Sequence, residues 1–310
     1  KFVQNTINSI LHQKFTDYEL IIVDDGSTDN SEKIIKKFND PRIKLIKQIN
    51  QGICSARNSG IKNSTAEYLM FCDHDDEYLP EYLQDVSNEI GRKEADIIKF
   101  GCIEKYIQEN NVFKEHKVEL PLDEYKNKDC RKLLYLYANE NEYIWDGVYK
   151  KDLIERCGGF DTSYKAGCED IDLLIKIVTN ANSIRTINKI EYIHYIRDSF
   201  STSRKYSDNS YRDVLRTYRM RMDTVCSDDN EYMKFVYYKN KALVWALLGM
   251  FSFKTCTLSR KEIIQKFKET ERIIVRSNYV EKKCDKKALM FYLIIKKQYG
   301  ILASICLAKR

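Results

Sequence analysis

Proline and glycine are scarce, at 3 and 11 of 310 residues. That excludes collagen-like, low-complexity and wholly disordered chains. No apolar run approaches the roughly 20 residues of a bilayer-crossing helix, and mean hydropathy is −0.52, so a transmembrane bundle is excluded. The ten cysteines form no C-x-x-C pair, and none stands with histidine at zinc-finger spacing. Several lie in apolar runs such as Leu69-Met70-Phe71-Cys72, which predicts reduced, buried thiols in a cytosolic protein. No signal-peptide pattern opens the sequence.

What is present suffices for a sizeable core in one large or two modest domains: 43% of residues are apolar and 32% charged. The net charge of +6 hides a split. Residues 1–200 carry 28 Lys/Arg against 35 Asp/Glu, net −7, and residues 201–310 carry 24 against 11, net +13. Two regions of opposite charge meet different partners.

Phe2, Val3, Ile7, Ile10 and Leu11 stand at helical spacing within residues 1–13. Tyr18 to Val23 is apolar on both faces, the mark of a buried strand in a helix-covered parallel sheet. Ser27 or Thr28 can cap a helix running to about Phe38. Further strands are predicted at 43–48, 68–72, 96–102, 112–120 and 184–196, and helices at 53–63, 80–92, 128–139 and 169–180. This alternation predicts an α/β architecture with a mainly parallel sheet, whose ligands bind beyond the carboxyl ends of the strands. From Tyr206 onward helical periodicity takes over, so a boundary is placed at 200–206, in the Ser/Thr-rich stretch Ser199 to Ser203.

Four segments carry chemistry. Phe71-Cys72-Asp73-His74-Asp75-Asp76 follows a strand and crowds three carboxylates. Either a hard divalent cation relieves their repulsion or the segment is a solvated acidic cap. Asp24-Asp25-Gly26-Ser27 ends another strand, where a carboxylate accepts from a base N–H or ribose hydroxyl or lines a response-regulator-like acidic pocket, or where Ser27 or Asp29 simply caps a helix. Asn50-Gln51-Gly52 leads into Ala56-Arg57-Asn58-Ser59-Gly60. An Arg in a first helical turn opposes the helix dipole and needs a partner, either a diphosphate or the aspartates. Gly158-Gly159-Phe160-Asp161 is a tight turn, and Glu169 and Asp170 open a later helix. There the dipole favours ionised carboxylates that can act as a general base or as plain caps.

Taken in order, VDDGSTD after a strand, NQG-x-x-x-ARN-x-G, the D-x-D-D after a strand, the GGFD turn and the Glu-Asp pair resemble glycosyltransferase family 2, over residues 1 to about 205. The resemblance implies a GT-A fold (1–205 the catalytic domain, 206–310 a basic helical region) and an inverting, metal-dependent hexosyl- or N-acetylhexosaminyl-transferase of cell-surface polysaccharide synthesis. It assigns the uracil and ribose of a UDP-sugar donor to Asp24 and Asp25, and the diphosphate to Arg57, with Arg197 in the loop that follows the base. Asp73 lies nearer the ribose, Asp75 binds Mn²⁺ or Mg²⁺ directly with help from Asp73, Asp76 extends the motif, and His194 is a further metal or phosphate contact. Asp170 is the base, with Glu169 beside it. The family's first strand, with its Pro-x-Tyr-Asn-like segment, would precede residues 1–13 and has no counterpart here; a missing piece is expected, since a sheet without that strand would expose apolar edges.

Charge developing on the β-phosphate calls for the cation and the arginines, and proton removal from the acceptor hydroxyl calls for Asp170. The acceptor is a saccharide or lipid-linked hydroxyl. Trp145 stacks on a sugar face or packs in the core. The apolar helical stretches at 242–251, 288–295 and 301–308, with the +13 charge, suit a protein peripheral on an anionic inner leaflet. The alternative is that they pack on one another or form a homodimer. No nucleic-acid partner is expected, because the tail's aromatics lie among aliphatic residues and do not interleave with Lys/Arg. The rival function is a non-catalytic nucleotide-sugar-binding protein.

Overall fold

The computed structural model describes residues 2–109, 111–136, 143–165, 167–197, 206–224, 230–277, 279 and 285–309. The chain divides into two compact units. The first comprises Lys1–Leu133, Asn139–Ser163 and Glu169–Phe200, and the second Leu134–Ala138, Tyr164–Cys168 and Ser201–Arg310. The Ser/Thr-rich stretch read as a boundary lies outside the described residues.

The first unit runs α1 (Val3–Leu11), β1 (Leu20–Asp24), α2 (Ser31–Ile35), β2 (Ile43–Lys47), α3 (Ile53–Asn63), β3 (Tyr68–Met70), β4 (Glu77–Tyr78), α4 (Tyr82–Arg92), β5 (Ile97–Gln108), β6 (Asn111–Val118) and β7 (Asp123–Lys126). A 3-10 turn at Asn127–Lys132 leads into α5 (Leu133–Leu136), then β8 (Gly147–Lys150), α6 (Lys151–Arg156), α7 (Glu169–Asn180) and β9 (Ser183–Arg197).

Val3, Ile7 and Ile10 recur along one face of α1 and are buried. Val3 and Ile7 join Ile35 of α2 over the apolar residues of β1 and β2, which pair in parallel from Leu20↔Ile43 to Asp24↔Lys47. α1 also holds the acidic loop after β3. Thr6 Oγ1 donates to the Asp76 carbonyl at 2.8 Å, and Gln13 Nε2 donates to the Leu79 carbonyl at 2.7 Å.

The larger sheet has the order β3-β8-β5-β9-β4, with β6 on β5 and β7 on β9. Within it β5 and β9 are parallel, and the β3-β8, β8-β5, β9-β4, β5-β6 and β7-β9 pairings are antiparallel. The architecture is α/β as expected, but the sheet is mixed where a mainly parallel one was predicted. The physical reason is that burial on both faces reports coverage, not strand direction, and β4, β7 and β8 are short strands with no periodic signal. Two local expectations also change. The helix predicted from Ser27 or Thr28 starts at Ser31, because Ser27 N–H is held by Asp24 Oδ1 at 2.8 Å in a turn. The helix predicted at 128–139 is the 3-10 turn followed by the four residues of α5, and 137–139 lie outside the described residues.

The core between α4 and the sheet is aromatic: Tyr82, Phe100, Trp145 and Tyr192 are all at least 98% buried. Each contributes on the order of 2–3 kcal/mol of hydrophobic burial.

The second unit is built mainly from α8 (Asp208–Thr224), α9 (Asn230–Phe251), α10 (Arg260–Ile273), α11 (Lys286–Ile295) and α12 (Tyr299–Ala308). Ser259 caps α10 reciprocally with Glu262. Leu243, Val244, Leu247 and Phe251 of α9 are buried, as are Phe267, Ile294 and Leu302. Among the described residues no helix is long and apolar enough to cross a membrane, and the eight described cysteines are free thiols.

Candidate active site

The acidic loop after β3 is fixed by one buried hydroxyl. Tyr192 Oη donates to Asp76 Oδ2 at 2.9 Å and accepts from the Asp73 N–H at 3.1 Å. Asp76 Oδ1 accepts from the Tyr195 N–H at 2.8 Å. Burial pushes the Asp76 carboxyl up to about 8, so it is largely protonated at neutral pH and serves as an internal tether. Tyr192 is itself set by stacking on Trp145, with centroids 4.4 Å apart, and Trp145 stacks in turn on Tyr143 at 4.6 Å. Trp145 is 2% exposed. It is a core residue, and a direct sugar-stacking role for it is ruled out by that burial.

Arg57 gathers the remaining carboxylates. From the second turn of α3 its Nη1 donates to Asp170 Oδ1 at 2.5 Å and to Glu169 Oε1 at 3.1 Å, while Nη2 donates to Asp73 Oδ1 at 3.2 Å. Its guanidinium lies 5.1 Å from the centre of the Phe160 ring. The three carboxylates hold the Arg57 pKa above its ordinary value despite burial. Thus the arginine, strand-end aspartate and Glu-Asp motifs meet around one cation.

Asp170 is pushed up to about 7, chiefly by burial; Arg57 opposes the rise, while Glu169, Asp73 and Asp146 add to it. The dipole of α7 was expected to hold this group ionised. Burial wins instead, because a helix terminus supplies only about 0.3–1 kcal/mol and desolvation costs more. A carboxylate poised near neutrality beside a fixed arginine can take up a proton and give it back.

At the other end of the loop Asp75 Oδ2 accepts from Arg197 Nη1 at 2.8 Å, and the Asp75 carbonyl accepts from the same nitrogen at 3.1 Å. Arg197, at the end of β9, packs over Phe2 and Tyr195. The Asp198 and Ser199 that follow it lie outside the described residues. His194 Nδ1 makes no hydrogen bond and lies 3.7 Å from Asp76 Oδ2. Burial lowers its pKa, leaving the ring neutral.

Asp24 and Asp25 separate in role. Asp24 is buried and closes the turn to Ser27. Asp25 reaches the N-terminus of α3: Oδ1 accepts from Gln48 Nε2 at 2.7 Å and the Gln51 N–H at 2.9 Å, and Oδ2 accepts from the Gly52 N–H at 2.8 Å. Asp25 and Asp73 are therefore tied to the same helix, Asp25 at its start and Asp73 through Arg57.

Among the described residues no group of three His, Cys, Asp or Glu side chains is gathered to hold a metal. Mg²⁺ or Mn²⁺ takes one or two carboxylates when phosphate oxygens and water complete its octahedron. Asp73 and Asp75 offer such a pair, partly exposed at 37% and 27%, and the neutral, unbonded Nδ1 of His194 lies beside the same loop.

Two constellations escaped the sequence reading. Asn58 Nδ2 donates to the Phe160 carbonyl at 2.8 Å, and its Oδ1 accepts from the Phe160 N–H at 2.9 Å. Gly159, at φ +65°, leaves the room this needs, since a Cβ there would lie 2.7 Å from Asn58 Oδ1. The ARN triplet was the available signal. Second, Lys99 is fully buried in β5 and its Nζ donates to Asp146 Oδ1, to the Tyr143 carbonyl at 2.9 Å and to Tyr149 Oη at 3.1 Å. A lysine inside the apolar run Ile97 to Phe100 was its signal.

Comparison with known proteins finds glycosyltransferases. Residues 1–150 match the family model described as Glycosyl transferase family 2. The uncharacterized glycosyltransferase EpsJ of Bacillus subtilis is 29% identical over 199 residues, 62% of this chain and 57% of its own length. The poly(ribitol-phosphate) beta-N-acetylglucosaminyltransferase TarP of Staphylococcus aureus is 42% identical over 106 residues, 32% of each chain. The chain thus spans less than two thirds of either relative. In fold it is similar to S. aureus TarS 1–349 in complex with UDP-GlcNAc, with a TM-score of 0.63 and 18% identity over 99% of this chain and 87% of that one. With the motifs, their convergence and the family match together, residues 1–150 of the chain belong to glycosyl transferase family 2, and the likeness to TarS extends the shared fold over the rest.

Proposed function

We propose that the chain transfers a sugar, with inversion, from a UDP-sugar to a hydroxyl of a saccharide or lipid-linked acceptor in cell-surface polysaccharide synthesis. Residues 1–205 form the catalytic domain in this reading, and residues 206–310 a separate helical region. The observation that carries it is the single guanidinium of Arg57 bonded to Asp73, Glu169 and Asp170. A nucleotide-diphosphate site and a proton-accepting site are thereby held next to each other.

The acceptor oxygen attacks the anomeric carbon, the bond from that carbon to the β-phosphate oxygen breaks, and UDP leaves with the electron pair. Asp170 takes the hydroxyl proton, and Glu169 keeps Arg57 in place beside it. Arg57 and Arg197 supply fixed positive charge where the leaving group becomes negative. Asp25, with one acceptor position still open, holds the nucleoside, while Asp24 shapes the turn behind it. Asp73 and Asp75, with His194 beside them, would hold Mg²⁺ or Mn²⁺, and a bound ion supplies Lewis-acid stabilisation of the departing diphosphate. Inversion follows from single displacement.

The relatives' names favour an N-acetylhexosamine donor, and UDP-GlcNAc, bound in the TarS crystal, is the first to test. Thermal shift with UDP-GlcNAc, with Mn²⁺ and with both is the experiment. Stabilisation much larger with the pair than with either component, together with UDP release, supports the reading. No shift with UDP-GlcNAc or any other UDP-sugar removes it, and a shift without UDP release leaves the protein a binder only.

A further inference from the structure

The second unit carries a surface that the transfer chemistry does not use. Residues 286–309 contain five lysines (Lys286, Lys287, Lys296, Lys297 and Lys309) and neither Asp nor Glu. α12 has no charged side chain at all. It buries Leu302, Ala303 and Cys306 on one side, while Ile301, Ser304, Leu307 and Ala308 on the other are exposed. α11, which packs against it, buries Ala288 and Ile294 and exposes Leu289, Tyr292 and Ile295. Tyr292 is 55% exposed, and the Lys296 ammonium stands over its ring at 5.6 Å. Large apolar side chains repeat along outward helix faces, and lysines stand at both ends of α11 and beyond the end of α12.

We propose that this outward face of α11 and α12 docks on an anionic lipid surface. Leu289, Tyr292, Ile295, Ile301 and Leu307 enter the headgroup–acyl boundary, and the lysines pair with acidic headgroups. An interfacial helix needs this combination of apolar face and flanking cations. Charge complementarity selects the occupant. A second copy of the same face would bring lysines against lysines, and the Asp285 carboxylate at the start of α11 is already paired with Lys241, whereas an acidic bilayer satisfies the apolar and the charged residues together. The proposal does not depend on which sugar is transferred, nor on whether transfer occurs.

The test is flotation of the whole chain with vesicles of phosphatidylglycerol and phosphatidylcholine, and with phosphatidylcholine alone, at low and high salt. Binding is expected to the acidic vesicles only and to weaken with salt. Removing two lysines, Lys296→Ala with Lys297→Ala, is expected to weaken binding roughly 25-fold, at about fivefold per lysine. Leu289→Ser, Tyr292→Ser, Ile301→Ser and Leu307→Ser together are expected to abolish binding at unchanged charge and unchanged helix content. Should that variant fail to fold, Ile301→Trp in the otherwise intact chain reads insertion directly, by a blue shift of its emission on acidic vesicles. Absence of flotation overturns the proposal, as does apolar-independent adsorption. So does a dimer, seen by sedimentation, that the serine set dissociates while lipid binding is absent.

Discussion

Asn58 clasps the backbone of Phe160 from both sides, donating to its carbonyl at 2.8 Å and accepting from its N–H at 2.9 Å. This closes α3 onto the GGFD turn and sets the Phe160 ring against Arg57. Asn58→Ala leaves both backbone groups without their partner, and chemical denaturation is expected to show a loss of about 1–3 kcal/mol. Asn58→Asp is not expected to rescue it, because a carboxylate cannot donate to the Phe160 carbonyl. Full stability in either variant would show that the clasp is incidental.

Tyr192 offers a cleaner separation of packing from polarity. Tyr192→Phe keeps the stack on Trp145 but removes the hydroxyl shared by Asp73 N–H and Asp76 Oδ2. A modest stability loss of about 1–2 kcal/mol is expected, together with a larger loss of the joint stabilisation by Mn²⁺ and UDP, since the acidic loop is no longer fixed. An unchanged ligand-induced thermal shift would deny the loop's role.

Lys99 and Asp146 form a fully buried ion pair. Lys99→Met strands the Asp146 carboxylate, and a destabilisation of about 3–5 kcal/mol is expected from urea unfolding. Adding Asp146→Leu is expected to recover part of that loss, because a buried pair replaced on both sides is far less costly than one broken. A strictly additive double variant would mean that the two groups are not coupled.

The chemistry of the site was more legible in the sequence than its architecture. An arginine in an early turn of a helix is electrostatically awkward, which called for either a diphosphate or acidic partners, and carboxylates are what surround Arg57. Asp73, Glu169 and Asp170 were readable because carboxylates at strand ends and helix starts are local patterns. Tyr192 was not, because its importance comes from two hydrogen bonds across 116 and 119 residues of sequence that no periodicity encodes. The direction of β8 was equally hidden: its four residues run Gly147 to Lys150 with no alternation to read. Trp145 was ambiguous from sequence because core and platform positions share the same aromatic side chain, and only burial separates them.

The Asp170 carboxyl gives pH dependences of opposite sign for stability and for turnover. Its folded pKa of about 7 stands above the usual 3.8, so the native state binds the extra proton. That contribution is complete below about pH 4 and is lost as pH rises through 7, by at most about 4 kcal/mol. Unfolding at pH 5 and pH 8 is expected to show the loss in the wild type and a smaller one in Asp170→Asn. Turnover runs the other way, since the base acts ionised: UDP release is expected to climb about tenfold per pH unit below 7 and then level. Release that falls across the same range would reverse the proton's direction.

The most direct measurement compares Asp170→Asn with the wild type for UDP-GlcNAc affinity in the presence of Mn²⁺ and for the rate of UDP release. Affinity within about threefold, with release reduced by about two orders of magnitude or more, is the predicted result. Undiminished release from the variant would contradict the assignment of Asp170 as the proton acceptor, and with it the account of why three distant carboxylates surround Arg57.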